Sequence, residues 1–157
     1  MQMTQIPSTH QPTDGDDAKL PKFLCFAVYS ANLAFGRAYK PLLDALGLTY
    51  TQYIALVALA DEDDQTVGAL GEKLFLESNT LTPLLKKMES LGYLERRRDP
   101  ADERQVRLHL TPAGRKLVDA DPGAALTDVI GLDEAEFPVV QASVARLRDN
   151  LLSATKG

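Results

Sequence analysis

Residues 93–110 read YLERRRDPADERQVRLHL, apolar and charged side chains alternating on both sides of the turn DPADE. Alternation with a period of two, reversed across a Pro- and Asp-bearing turn, sets one face against a core and one in water, which predicts a β-hairpin. The stretch before it has helical spacing: in SNTLTPLLKKMESLGYL, residues Leu81, Leu84, Leu85, Met88 and Leu91 fall on one face. Ser78 or Asn79 is the expected N-cap, and Gly92 the expected stop. Upstream again, TVGALGEKL predicts a short helix over 67–75. Gly68 and Gly71 weaken that helix by about 1 kcal/mol each relative to alanine, so something packs closely against it. A helix, a break at 76–77, a second helix and a hairpin follow the order of a winged helix-turn-helix.

The flanks are helical and strongly apolar. From Pro21 to about Leu46 the apolar residues lie on nearly all sides, including Phe23, Leu24, Phe26, Val28, Leu33 and Phe35, and a helix apolar all round needs more than one partner surface. Pro41 is expected to bend or interrupt it and Gly47 to end it. Thr51 is the expected N-cap of the next helix, 52–60, which the acidic turn DEDDQ closes. After the hairpin, Thr111-Pro112 starts another helix, DPG at 121–123 breaks the chain, and a last amphipathic helix from Asp133 carries Phe137, Val140, Val144, Leu147 and Leu151 on one stripe. The expected fold is therefore mainly α with a small β-wing, a winged helix-turn-helix over about 51–111 between helical flanks at about 21–46 and 112–155. Residues 1–18, rich in Thr, Gln, Pro and Asp, are read as a disordered tail, and 19–157 as one domain. So much apolar helix at both ends fits a dimer interface, with an intramolecular bundle as the alternative.

Composition narrows the class. With 45% hydrophobic and 25% charged residues, and no apolar run near the length of a membrane span, the 157-residue chain is expected to be a soluble protein that does not enter a membrane. No basic segment followed by an apolar one marks a secretory signal, and one cysteine fits a reducing cytoplasm. The net charge of −5 speaks against nucleic acid, but its distribution does not: residues 78–116 hold nine Lys/Arg against five Asp/Glu. Binding to phosphates follows local potential rather than total charge.

On this reading the second helix of the motif offers a short polar turn, Ser78, Asn79, Thr80 and Thr82, to base edges and phosphates, followed by Lys86 and Lys87 on its open face. The hairpin adds Arg96, Arg97, Arg98, Arg104 and Arg107, and an arginine at its tip is suited to a minor groove. The expected partner is double-stranded DNA. A two-fold dimer would set two such helices on successive major grooves of a pseudo-palindrome.

DPADERQVRLHLTPAG is similar to the wing-to-helix signature of the MarR family of bacterial repressors. LCFAVY, AYKPLLDALGLTYTQY, SNTLTPLLKKME and DERQVRLHLT together resemble the organic hydroperoxide resistance regulators (OhrR) within it, over about 19–118. The resemblance implies a homodimeric repressor, not an enzyme, in which Cys25 is the redox-sensing residue. It implies that Tyr39 and Tyr50 hold the reduced cysteine from the other subunit, with Tyr29 close by. It further implies that Arg104 is the wing-tip residue in the minor groove and that Asp102 orients it. Relatives of the two-cysteine class carry a resolving cysteine toward the C-terminus; this chain has none, so it resembles the one-cysteine class.

The residues themselves agree with such chemistry. A reactive thiolate needs stabilised negative charge, and Cys25 falls in the first turns of a helix, whose N-terminus is partly positive, with the cation Lys22 one turn back. Four of the five tyrosines lie between 29 and 53. The surrounding phenylalanines and leucines favour peroxides with an organic tail. The partners expected are organic hydroperoxides and, after oxidation, a low-molecular-weight thiol; a cyclic sulfenamide or over-oxidation is the other fate of the sulfenic acid. No cofactor and no metal is expected, since His109 has no second histidine near it. Two other readings compete: a regulator responding to a small aromatic ligand with Cys25 as apolar filler, and a thiol peroxidase.

Overall fold

A computed structural model describes residues 18–156, so the expected tail lies outside the described residues but for Ala18. The chain divides into two units at Phe35 and Gly36.

The first unit holds a 3-10 turn, Leu20–Lys22, with Pro21 as its second residue, and the start of helix α1, Leu24–Asp44. None of the described apolar residues here is buried: Phe23, Leu24, Phe26, Val28, Tyr29, Leu33 and Phe35 all stand open to water. Ser30 Oγ turns back to donate to the Phe26 carbonyl at 2.7 Å.

In the second unit α1 runs on through Pro41 and stops at Asp44, short of the expected Leu46. The stop is a backbone device. Gly47 sits at φ +68°, its N–H reaches the Asp44 carbonyl, and the Leu48 N–H reaches back to Leu43 at 3.1 Å. That pair of bonds satisfies the helix's orphan carbonyls, and Leu43 and Leu48 are both buried beneath it.

Helix α2, Tyr50–Asp61, is the centre of the unit, with Tyr53, Ala55, Leu56 and Leu59 buried. Its N-cap is Thr49 rather than Thr51. Gln52, three residues on, completes the reciprocal half of a capping box, its side-chain oxygen accepting the Thr49 N–H at 2.8 Å. The two-residue strand β1, Gln65–Thr66, leads into α3, Val67–Leu74, and α4, Ser78–Ser90. Gly71 explains the cost of glycine in α3: a Cβ there would stand 2.7 Å from the Leu76 carbonyl oxygen in the turn.

Strands β2, Leu94–Arg98, and β3, Val106–Leu110, form the predicted hairpin, and β1 adds to it in the order β1-β3-β2, all antiparallel. Leu94 and Leu108 turn inward against Leu56, Leu70, Leu81, Leu85 and Met88, which makes one apolar core beneath both helices of the motif. Helix α5, Pro112–Asp119, opens on Thr111, whose hydroxyl accepts the Gly114 N–H. The DPG break leads through a 3-10 turn to the short α6, Thr127–Ile130, and then to α7, Glu136–Ala154, no residue of which is buried.

Candidate functional site

The reading face is built by α4 and the hairpin. Ser78, expected as a cap, is instead the first residue of α4; Glu77 precedes it and its carbonyl accepts the Thr80 and Leu81 N–H groups. That leaves Ser78, Asn79 and Thr80 exposed in the first turn with their side chains free of capping. Thr82 Oγ1 donates to the Ser78 carbonyl at 2.8 Å, and Lys86 and Lys87 are exposed one turn further on. Between this turn, the start of α3 and the hairpin lies a concavity of about 630 Å³ with a mixed lining: Gly68 and Glu72 on one side, Ser78 and Thr82 at its end, and Arg104 and Gln105 across it.

The hairpin turn is organised by its aspartates. Asp102 Oδ1 accepts the Arg104 backbone N–H at 3.1 Å, and the Asp102 carbonyl accepts the Gln105 N–H at 2.9 Å. Asp102 thus orients the main chain at Arg104. Arg98 and Arg104 are exposed and form no ion pair among the described residues. Arg97 pairs with Glu95.

Arg96 stands apart from them. Its Nε donates to Glu89 Oε2 at 2.8 Å and its backbone N–H to Glu89 Oε1 at 2.9 Å, which ties β2 to the last turn of α4. Those bonds from the Arg96 side chain and backbone hold the Glu89 carboxyl below the usual glutamate range. Glu89 escapes sequence reasoning because it lies outside the hairpin; its spacing from Arg96 has no meaning until α4 and β2 are folded together.

The candidate sensor residues divide between the units. Cys25 is the second residue of α1, exposed and unpaired, and Tyr29 is one turn on along the same face. Tyr39 and Tyr50 belong to the second unit, where they meet Tyr53. The Tyr39 ring lies 4.9 Å from Tyr50 and 5.9 Å from Tyr53. Tyr53 is core; Tyr39 is half-buried and Tyr50 is open to water.

Burial first, then the neighbouring Tyr50 and Asp121, push the Tyr39 phenol above its ordinary range; Tyr53 is raised by burial and by Asp121. Both hydroxyls thus remain protonated donors. The 121–123 break, read from sequence only as an interruption, closes over this cluster. A Cβ on Gly123 would stand 2.5 Å from the Tyr39 hydroxyl oxygen.

A second concavity, about 470 Å³ and mostly apolar, lies between the end of α1 and α5, lined by Leu42, Leu46, Tyr93, Leu117 and Pro122 with Lys116 among them. The Tyr93 hydroxyl donates to the Leu46 carbonyl at 3.2 Å along its wall. No group of acidic, histidine or cysteine side chains among the described residues could hold a metal ion. No helix among them is long and apolar enough to cross a membrane.

Residues 37–120 match the family model described as transcriptional regulator SarA/Rot. The chain is 44% identical over 139 residues to the HTH-type transcriptional regulator TtmR of Methylorubrum extorquens, covering 87% of this chain and 71% of that one. It is 46% identical over 102 residues to the organic hydroperoxide resistance transcriptional regulator of Bacillus subtilis, covering 65% and 69%. Among solved structures, reduced AbfR bound to DNA superimposes with a TM-score of 0.76 at 33% identity, covering 87% of this chain and 94% of that one.

Proposed function

Because this chain belongs to the MarR/SarA family of winged-helix, DNA-binding transcriptional regulators, and is not an enzyme, we propose that it is a repressor whose hold on DNA is set by the oxidation state of Cys25. The observation that carries this reading is the position of the thiol. The chain's one cysteine is exposed in the first turn of α1, where helix geometry favours negative charge, and takes no part in the chain's own buried core. The name of the Bacillus subtilis relative supports an organic hydroperoxide as the oxidant.

In the step proposed, the Cys25 thiolate attacks one oxygen of the hydroperoxide. The O–O bond breaks, sulfur is oxidised by two electrons to a sulfenic acid, and the departing alkoxide takes a proton to leave as the alcohol. With no resolving cysteine in the chain, a small thiol then condenses with the sulfenic acid, releasing water and leaving a mixed disulfide. Tyr39, Tyr50 and Tyr29 serve as donors to the reduced sulfur, Tyr39 and Tyr50 from the second copy of a homodimer. Ser78, Asn79, Thr80, Thr82, Lys86, Lys87, Arg98 and Arg104 face a pseudo-palindromic operator. Oxidation biases two arrangements of the dimer that differ by a few kcal/mol, and the one it favours does not fit DNA.

The test is fluorescence anisotropy on DNA from upstream of the chain's own gene, with cumene hydroperoxide and a small thiol. Wild type should be released and Cys25→Ser retained; if both leave, or neither does, the thiol is not the switch. The apolar concavity beside Tyr93 favours one second reading, a regulator released by a small aromatic ligand. Release by a phenolic compound that is indifferent to Cys25→Ser would establish it instead.

A further inference from the structure

Arg107 contributes to the positive charge of the hairpin, yet its bonds run inward. Its Nε donates to Asp99 Oδ2 at 2.7 Å, and its Nη1 donates to the Asp64 main-chain oxygen at 2.8 Å with the Asp64 carboxylate 3.4 Å away. The Asp99 side chain is only 8% exposed, beneath the hairpin turn. Its carboxylate also accepts the Ala101 N–H at 2.8 Å, and its own N–H donates to the Gln105 carbonyl at 3.0 Å. At the far end Asp64 has φ +57° in the loop before β1. Asp63 beside it accepts the Leu110 N–H at 2.8 Å, and His109 Nε2 lies 3.4 Å from Asp64.

A line of charge thus runs from the turn, through β3, to the α2–β1 loop. Among the described residues, the strand pairing along the same edge is two residues long, Gln65 with Leu108 and Thr66 with Arg107. So short a ladder is a weak hinge for a hairpin that must hold its angle against DNA.

We propose that the Asp99–Arg107–Asp64 chain fixes the angle of the wing and so sets where Arg104 meets DNA. Arg107 is then a positioning residue, not a phosphate contact. The inference rests on the DNA-binding reading above. Hydrogen bonds from Ala101 and from Arg107 hold the Asp99 carboxyl below its usual range, and Asp99 raises Arg107 in turn, so the pair is charged throughout the neutral range.

Asp99→Asn decides between the two roles, because it keeps the shape and an acceptor for Ala101 while removing one negative charge. If Asp99 merely opposes DNA, the variant binds more tightly. If it holds the wing, the variant binds more weakly, by about tenfold, the scale of one lost side-chain contact to DNA. The measurement is anisotropy of the full chain on a labelled duplex from upstream of its own coding sequence, over a range of salt, with circular dichroism as the folding control.

Arg107→Gln should weaken binding similarly, and the double variant with Arg104→Ala should be no weaker than Arg104→Ala alone, since both act through one contact. Additive losses, with a salt slope lower by about one again, would make Arg107 an independent phosphate contact and overturn the proposal. Amide exchange at Gln105 in DNA-free protein should be faster in both variants; unchanged exchange overturns the chain's role without touching the DNA-binding reading. A wild type that ignores the duplex even at low salt overturns that reading, and the chain's purpose with it.

Discussion

At position 114 the fold has room for a hydrogen and nothing larger. A Cβ there would stand 2.1 Å from the Tyr93 carbonyl oxygen and 2.8 Å from a Leu110 methyl, while the Gly114 N–H is held by Thr111. Gly114→Ala must therefore push the start of α5 off the hairpin, and should lower stability by about 3 kcal/mol in urea titration. A midpoint within error of wild type would mean that this junction yields freely. Glu89 gives a prediction with a sign. Its carboxyl is held low by the Arg96 side chain and backbone, so it contributes stability that is whole above the ordinary glutamate value of about 4.3 and declines as pH falls below it. Melting temperatures of wild type should therefore drop more steeply on acidification through that region than those of Glu89→Gln; parallel curves would refute the link. Both residues show the limit of reading along a chain. LTPAG announces a helix start, and the hairpin's alternation announces which arginines leave the core. Neither says that Gly114 meets Tyr93, or that Arg96 is engaged by Glu89, because those neighbours come from packing.

Among the elements, α2 shows how a small error of boundary moves a site. LTYTQY offers a threonine at 49 and another at 51, and propensity does not separate them. Gln52 does, since only from Thr49 is it three residues on, the spacing of a capping box. With the helix starting at Tyr50, that tyrosine and Tyr53 lie one turn apart, which places both rings within 6 Å or so of Tyr39. Thr49→Ala should then cost about 1 kcal/mol by urea titration, and Thr51→Ala less; the reverse order would return the cap to Thr51. Much else at this scale is legible. The hairpin, the two helices of the motif and the glycine stops at 47 and 92 are where turn chemistry and periodicity put them. Pro41 does not interrupt α1, which continues through it, though the residue gives up its own ladder bond.

For the whole molecule, the sequence leaves two ways to cover its apolar flanks, a bundle within one chain or a pair of chains. Among the described residues they are not covered. Phe137, Val139, Val140, Val144 and Leu151 of α7 are all open to water, as are the apolar residues around Cys25. Apolar area left in water on this scale marks an interaction surface, and under the function proposed above its partner is a second copy. On that proposal each copy brings one locally positive segment to the duplex, and the two bind as a linked pair. Val144 is the residue to change, because at 49% exposure it lies outside the buried core of its own chain. Val144→Asp should leave the circular dichroism of the folded chain alone and shift sedimentation from dimer to monomer. It should weaken DNA binding by about a hundredfold or more, since the second half-site is then bound from bulk solution and not at the effective concentration that linkage gives. A variant that stays dimeric but releases DNA would place the interface elsewhere. One that sediments as a monomer and still binds tightly would mean that a single wing and helix suffice, and that the tyrosines and Cys25 have no second subunit through which to act.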